Sequence, residues 1–251
     1  MEDTTKRRIK RIVMMVALVA AVSYTVFAAI HFSKKANDET CLGVDVEVED
    51  STDTHFVNRG DIKRLLLDKK LSPVGNEMKQ VNTGLIEEAI KEHFSAIKEV
   101  ECYKTPDATI RIHITQRTPV LRVVTGSSGY YVDIEAKPMP ISGLNPVYVP
   151  VASGYISPKY ACSKLYQFAM FLRSNKFWNS QIEQIYVENN LDVVLIPRVG
   201  SQVILMGQID DFEPKLDKLE MLYNKEFSKC GWNTYKSINL KYDNQVICTR
   251  K

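Results

Sequence analysis

The sequence runs through 21 residues, Ile12 to Phe32, without one Asp, Glu, Lys or Arg. Ser23, Tyr24, Thr25 and His31 supply the only polar side-chain atoms in IVMMVALVAAVSYTVFAAIHF. At about 1.5 Å per residue, a helix of that length would just cross a hydrocarbon core of about 30 Å. The run therefore predicts a transmembrane helix over residues 12–32, with Ile12, Leu18, Phe27 and Phe32 among its anchoring side chains. Lys6, Arg7, Arg8, Lys10 and Arg11 precede it. Lys34 and Lys35 follow, and then an acidic stretch with Asp38, Glu39, Asp45, Glu47, Glu49 and Asp50. The basic excess marks residues 1–11 as a cytoplasmic tail and places roughly 220 residues across the membrane. Two alternatives compete: a cleaved signal peptide, whose apolar core is usually shorter, and a buried helix of a soluble core. The bulky Ile30, His31 and Phe32 after Ala28-Ala29 make a poor cleavage site.

Beyond the tail the charges cancel. Of 33 basic and 30 acidic residues, five and two fall in the first eleven positions, leaving 28 of each. A neutral outer portion gives no support to a nucleic-acid or polyanion binder. Cys41, Cys102, Cys162, Cys230 and Cys248 include no C-x-x-C pair and read as small buried hydrophobes; in an oxidising compartment an odd count leaves one thiol unpaired. His31, His55, His93 and His113 lack metal-ligand spacing.

After a polar linker over 33–43, VDVEVED alternates Val44, Val46 and Val48 with acids, the period of a half-buried strand. Asn58 is placed to cap a helix starting near Gly60, with Ile62, Leu65 and Leu66 on its apolar stripe. A second helix begins after Asn82 or Thr83 and carries Leu85, Ile86, Ala89, Ile90 and Phe94 on one face. Then comes a hairpin: Val100 and Cys102, a turn at Thr105-Pro106-Asp107, and Ile110, Ile112 and Ile114 alternating with polar residues. The result is a βααββ unit over 44–120, a small sheet covered on one face by two helices.

This element order resembles a POTRA domain. The stretch HFSAIKEVECYKTPDATIRIHITQRTPVLRV is similar to the second half of the POTRA domain in the FtsQ/DivIB cell-division family. Gln116-Arg117-Thr118-Pro119-Val120 stands where that family has E-R-x-P-V, and Ala96 replaces a usual proline.

Residues 121–251 continue as a mixed region dominated by antiparallel strands. Tyr130–Asp133 and Lys137–Pro140 resemble a family hairpin, with Ala136 near an expected turn glycine. A helix over about 158–174 buries Leu165, Phe168, Ala169 and Leu172. Ile182–Val187, Leu191–Pro197 and Val203–Gly207 form a meander. Pro197, Arg198, Gly200, Val203 and Gly207, then Lys215, Leu216 and Leu219, satisfy P-R-x-G-x-x-I-x-x-G followed by K-L-x-x-L. The closing YKSINLKYDNQVICTRK resembles the family's terminal D-L-R-Y-x-x-x-V, with Asn239 for Asp and Lys241 for Arg. The fold class expected is α+β: a single N-terminal transmembrane helix, a POTRA-like βααββ domain, and a mixed α/β domain dominated by an antiparallel sheet.

No catalytic constellation stands out. There is no G-x-S-x-G elbow, Ser-x-x-Lys motif or phosphate loop, and neither enzymatic activity nor a cofactor is expected. A sheet domain of this kind works through its edges, where an incoming strand can add by β-augmentation. The chain's last strand, read as Ser237–Thr249, is the candidate; an ordinary strand paired on both sides is the alternative. The family resemblance implies that Lys241, Tyr242, Asp243, Asn244, Gln245, Val246 and Ile247 contact single-pass division proteins of the FtsB/DivIC and FtsL types. It also implies a scaffold at the septum of the bacterial inner membrane, one that links early and late division proteins and helps regulate septal wall synthesis. Other division proteins would meet the POTRA-like domain. The competing readings are a POTRA-bearing export component, for which no room remains to build a barrel, and a membrane-tethered wall hydrolase.

Overall fold

The computed structural model describes residues 14–28, 39–49, 56–126, 128–141, 147–227, 229 and 231–251. The chain divides into two compact units, 1–49 with 57–115 and 50–56 with 116–251.

The first unit holds helix α1 over 14–28, strand β1 (Gly43–Glu49), helices α2 (Arg59–Asp68) and α3 (Thr83–His93), and strands β2 (Ile97–Lys104) and β3 (Thr109–Gln116). The sheet order is β1-β3-β2, and β1 runs parallel to β3 with Val44, Val46 and Val48 opposite Ile110, Ile112 and Ile114. Those three isoleucines are fully buried, as the alternation requires. Asn58 caps α2 in a reciprocal box with Asp61: each side chain accepts the other's backbone N–H, at 3.0 and 3.1 Å. Asn82 caps α3 through the Leu85 N–H. Ile62, Leu65 and Leu66 of α2 and Ile86, Ala89 and Ile90 of α3 are buried. On β1 and β3 the alternate positions are polar: Asp45 lies 3.6 Å from Arg111, and His113 sits between Glu47 and Glu49. Cys102 is buried; desolvation first, and Glu87 second, push its thiol up to about 12, so it stays protonated.

The membrane-spanning helix expected over residues 12–32 is overturned. Helix α1 covers fifteen described residues, which at 1.5 Å each is about 22 Å, short of a 30 Å hydrocarbon core. Among the described residues no helix is long and apolar enough to cross a membrane. Leu18 and Phe27 lie on α1 with exposed side chains, while Ile12 and Phe32 fall outside the described residues.

The second unit is built on a nine-stranded sheet in the order β12-β11-β10-β9-β8-β7-β4-β5-β6. Its strands are β4 (Pro119–Thr125), β5 (Ser128–Asp133), β6 (Pro138–Pro140), β7 (Val151–Gly154), β8 (Ile182–Val187), β9 (Val193–Pro197), β10 (Val203–Gly207), β11 (Tyr235–Asn239) and β12 (Ile247–Arg250). β8, β9 and β10 form the expected antiparallel meander, while β4–β7, β7–β8 and β10–β11 pair in parallel. Parallel neighbours need crossovers: β5 and β6 lie between β4 and β7, and helices supply the other two. Pro158–Tyr160 (α4), a π turn Ala161–Leu165 and Tyr166–Ser174 (α5) run on between β7 and β8, followed by α6 (Lys176–Gln181). Phe212–Leu222 (α7) and a second π turn, Tyr223–Phe227, lie between β10 and β11. Leu165, Phe168, Ala169 and Leu172, with Leu216 and Leu219 of α7, form one core with Ile185, Leu195, Ile204 and Ile238 of the sheet, all of them fully buried. Trp232 packs against that core, its ring 5.0 Å from Tyr223 and 5.1 Å from Phe227.

The chain's last strand also differs from expectation. Ser237–Thr249 is not one strand: β11 ends at Asn239, residues 240–246 make a loop, and β12 returns antiparallel. Ile238 and Leu240 are buried, but Tyr242, which continues their alternation in sequence, is 49% exposed because the chain has already left the sheet.

Candidate functional site at a sheet edge

The two ends of the nine-stranded sheet are chemically unequal. At one end β6 reads Pro-Met-Pro. The Asp133 N–H donates to the Lys137 carbonyl at 3.0 Å, and Met139 pairs with Tyr131, so the backbone groups of Lys137 and Met139 face β5. By alternation Pro138 and Pro140 face outward, where neither has an N–H to donate. The Arg117 Nη2 occupies the Pro138 carbonyl at 3.1 Å. An edge of this kind rejects an added strand.

At the other end stands β12. Its register pairs Asn239 with Ile247, Ile238 with Cys248, Ser237 with Thr249 and, past an irregularity in β11, Tyr235 with Arg250. Lys251 donates its N–H to the Thr234 carbonyl, so Thr249 and Ile247 also turn their backbone toward β11. Cys248 and Arg250 alternate away from it. The Arg250 N–H and C=O thus face the outside of the sheet, on a strand without proline.

The loop before β12 is held on both sides. The Lys241 side chain crosses Gly207 and its ammonium donates to Asp192 Oδ2, at the β8–β9 turn. Gly207 has a φ of 75°, and a Cβ there would come within 2.9 Å of Lys241 Cγ, so glycine leaves the path open. Hydrogen bonding from Lys241 holds the Asp192 carboxyl below the usual carboxylate range, and the same bond raises Lys241. From α7, the Lys218 ammonium donates to the carbonyls of Tyr242 and Asp243, at 2.8 and 3.0 Å. A pocket of about 530 Å³ opens between α7 and this loop, with Lys215, Lys218 and Lys241 on its wall. All three ammonium groups are committed to protein oxygens, Lys215 to the Gln208 carbonyl at 2.6 Å.

The seven residues singled out from the sequence therefore divide. Tyr242, Asp243, Asn244, Gln245 and Ile247 are exposed. Val246 is partly buried against the core, and Lys241 is bound to Asp192. Sequence reading missed Asp192 and Lys218, whose contacts with the loop span 24 to 49 residues, and the room that Gly207 leaves for Lys241. It also missed the Pro-Met-Pro edge, although that signal lies in plain view. Among the described residues no group of three or more His, Cys, Asp or Glu could hold a metal ion.

A model described as "FtsQ/DivIB, C-terminal related" matches residues 118–249, and a POTRA-like domain model matches residues 39–115. The first alone covers more than half of the chain. The chain belongs to the FtsQ/DivIB family. No curated protein matches it. Membership in FtsQ/DivIB points to a role in cell division, in a family of non-enzymatic division scaffolds. It also implies association with the membrane at the division site and division proteins as partners.

Proposed function

We propose that this FtsQ/DivIB protein is a non-catalytic scaffold that captures a strand of another division protein on β12. Through that contact it links early and late components of the division machinery and helps regulate septal wall synthesis. The partners are single-pass proteins of the FtsB/DivIC and FtsL types, received by the β12 backbone and by the exposed side chains of Tyr242, Asp243, Asn244, Gln245 and Ile247. The observation that carries this reading is the inequality of the sheet edges: one is closed by Pro138 and Pro140, while Arg250 turns a donor and an acceptor outward from β12. Main-chain bonds then supply affinity, and alternate side chains supply specificity. The POTRA-like unit meets further division proteins in the same assembly.

The test is binding of an FtsB/DivIC-like and FtsL-like pair from the same source to the full chain and to Arg250→Pro. Proline removes the outward N–H and leaves the bonds between β12 and β11 in place. Arg250→Gln controls for the lost charge. Affinity should fall at least tenfold for Arg250→Pro, with Arg250→Gln close to wild type. Equal binding by all three chains would sink the strand-addition reading.

A further inference from the structure

We propose that Lys218 is a positioning residue for β12, fixing from α7 the loop out of which that strand emerges. The inference rests on the reading of β12 as the strand that receives a partner. β12 has only four residues and pairs on one side, with β11. Short strands of this kind fray unless their approach is fixed. The connection over 240–246 is seven residues long, and its first part is tied down: the Leu240 N–H donates to the Leu205 carbonyl at 2.9 Å, and the Lys241 N–H to Asn239 Oδ1 at 3.0 Å. Lys218 extends that hold past Lys241 to the carbonyls of Tyr242 and Asp243. Only residues 244–246 then separate the last fixed point from Ile247, the first residue of β12.

The geometry suits the task. Leu216 and Leu219, flanking Lys218 on α7, are fully buried, so the helix is a rigid base for the ammonium group. An ammonium has three donors and can hold two carbonyls at once. Holding the loop in place prepays part of the ordering entropy of strand addition, which otherwise appears as slower association. Lys218 itself touches no partner in this account; it acts through the loop.

The test uses the full chain with Lys218→Met, which keeps an apolar stem and removes the charge, and Lys218→Arg, which restores donors. Hydrogen exchange is read at the Ile247 and Thr249 amides, which face β11, and at Leu195 and Ile204 in the sheet interior. Association is measured with the FtsB/DivIC-like and FtsL-like pair. In Lys218→Met, exchange at Ile247 and Thr249 should accelerate about tenfold while Leu195 and Ile204 stay unchanged. Association should slow several-fold, and Lys218→Arg should recover both. Unchanged exchange at β12 in Lys218→Met would overturn the inference, as would equal acceleration at Leu195 and Ile204, the mark of general destabilisation. If the wild-type chain does not bind the pair, the strand-addition reading falls, and the exchange pattern alone decides whether Lys218 positions β12.

Discussion

Arg117 holds Asp133 through two nitrogens, Nε at 2.8 Å and Nη2 at 2.7 Å, and both side chains are sheltered, 15% and 4% exposed. The other carboxylate oxygen of Asp133 accepts the backbone N–H groups of Glu135 and Lys137, at 2.9 and 2.8 Å. One acid thus builds the β5–β6 turn, where Ala136 takes the left-handed conformation at a φ of 59° without glycine. Arg117 then covers the carbonyl side of the proline edge. Asp133→Ala removes the carboxylate partner of a sheltered guanidinium and the acceptor of two turn amides, and should cost roughly 3 kcal/mol. Urea unfolding of the variant measures it.

The Lys241–Asp192 pair predicts a pH profile. Asp192 has a lowered pKa, so its contribution to stability is complete above the ordinary carboxylate value, about 3.9. It is lost as pH falls through the lower, folded-state value. Lys241 is raised, so its contribution is complete below about 10.4 and is lost only as pH rises through the folded value. The difference in urea midpoint between wild type and Asp192→Asn should therefore be flat from about pH 5 to 9 and shrink below pH 4.

Two glycines should respond differently to alanine. At Gly154, with a φ of 104°, a Cβ would lie 2.1 Å from the Val187 carbonyl oxygen, which is part of the strand pairing and cannot yield. At Gly207 the nearest atom belongs to a flexible side chain, Lys241 Cγ. Gly207→Ala should cost roughly 1–2 kcal/mol for its left-handed backbone. Gly154→Ala should cost clearly more. Thermal melts of the two variants rank them.

Asn58→Ala removes the capping box of α2 and should cost about 1 kcal/mol. The loss should show as faster exchange of amides in α2, with β8–β10 unaffected.

Much of this fold could be read from local pattern. Asn58 and Asn82 announce their helices because a cap acts within three residues. Ile110, Ile112 and Ile114, or Leu165, Phe168, Ala169 and Leu172, announce a buried face because burial imposes a period. Edges and loops follow other rules. Ile238, Leu240 and Tyr242 alternate as a strand would, yet the strand stops at Asn239, where Asp192 and Lys218, distant in sequence, take hold of the chain. The parallel pairs β4–β7 and β10–β11 join strands separated by whole elements, and the choice of a distant partner leaves no local signature. At the other end of the sequence, 21 residues without Asp, Glu, Lys or Arg satisfy a length rule that the fifteen-residue described helix does not.

The central claim is that β12 receives a partner strand along its outward backbone. The most direct measurement is hydrogen exchange at the Arg250 amide of the full chain, with and without the FtsB/DivIC-like and FtsL-like pair. The Arg250 amide should exchange fast alone and become protected at least tenfold on binding, while Thr249, already bonded to β11, changes little. Binding of the pair with no change in Arg250 exchange would contradict the account.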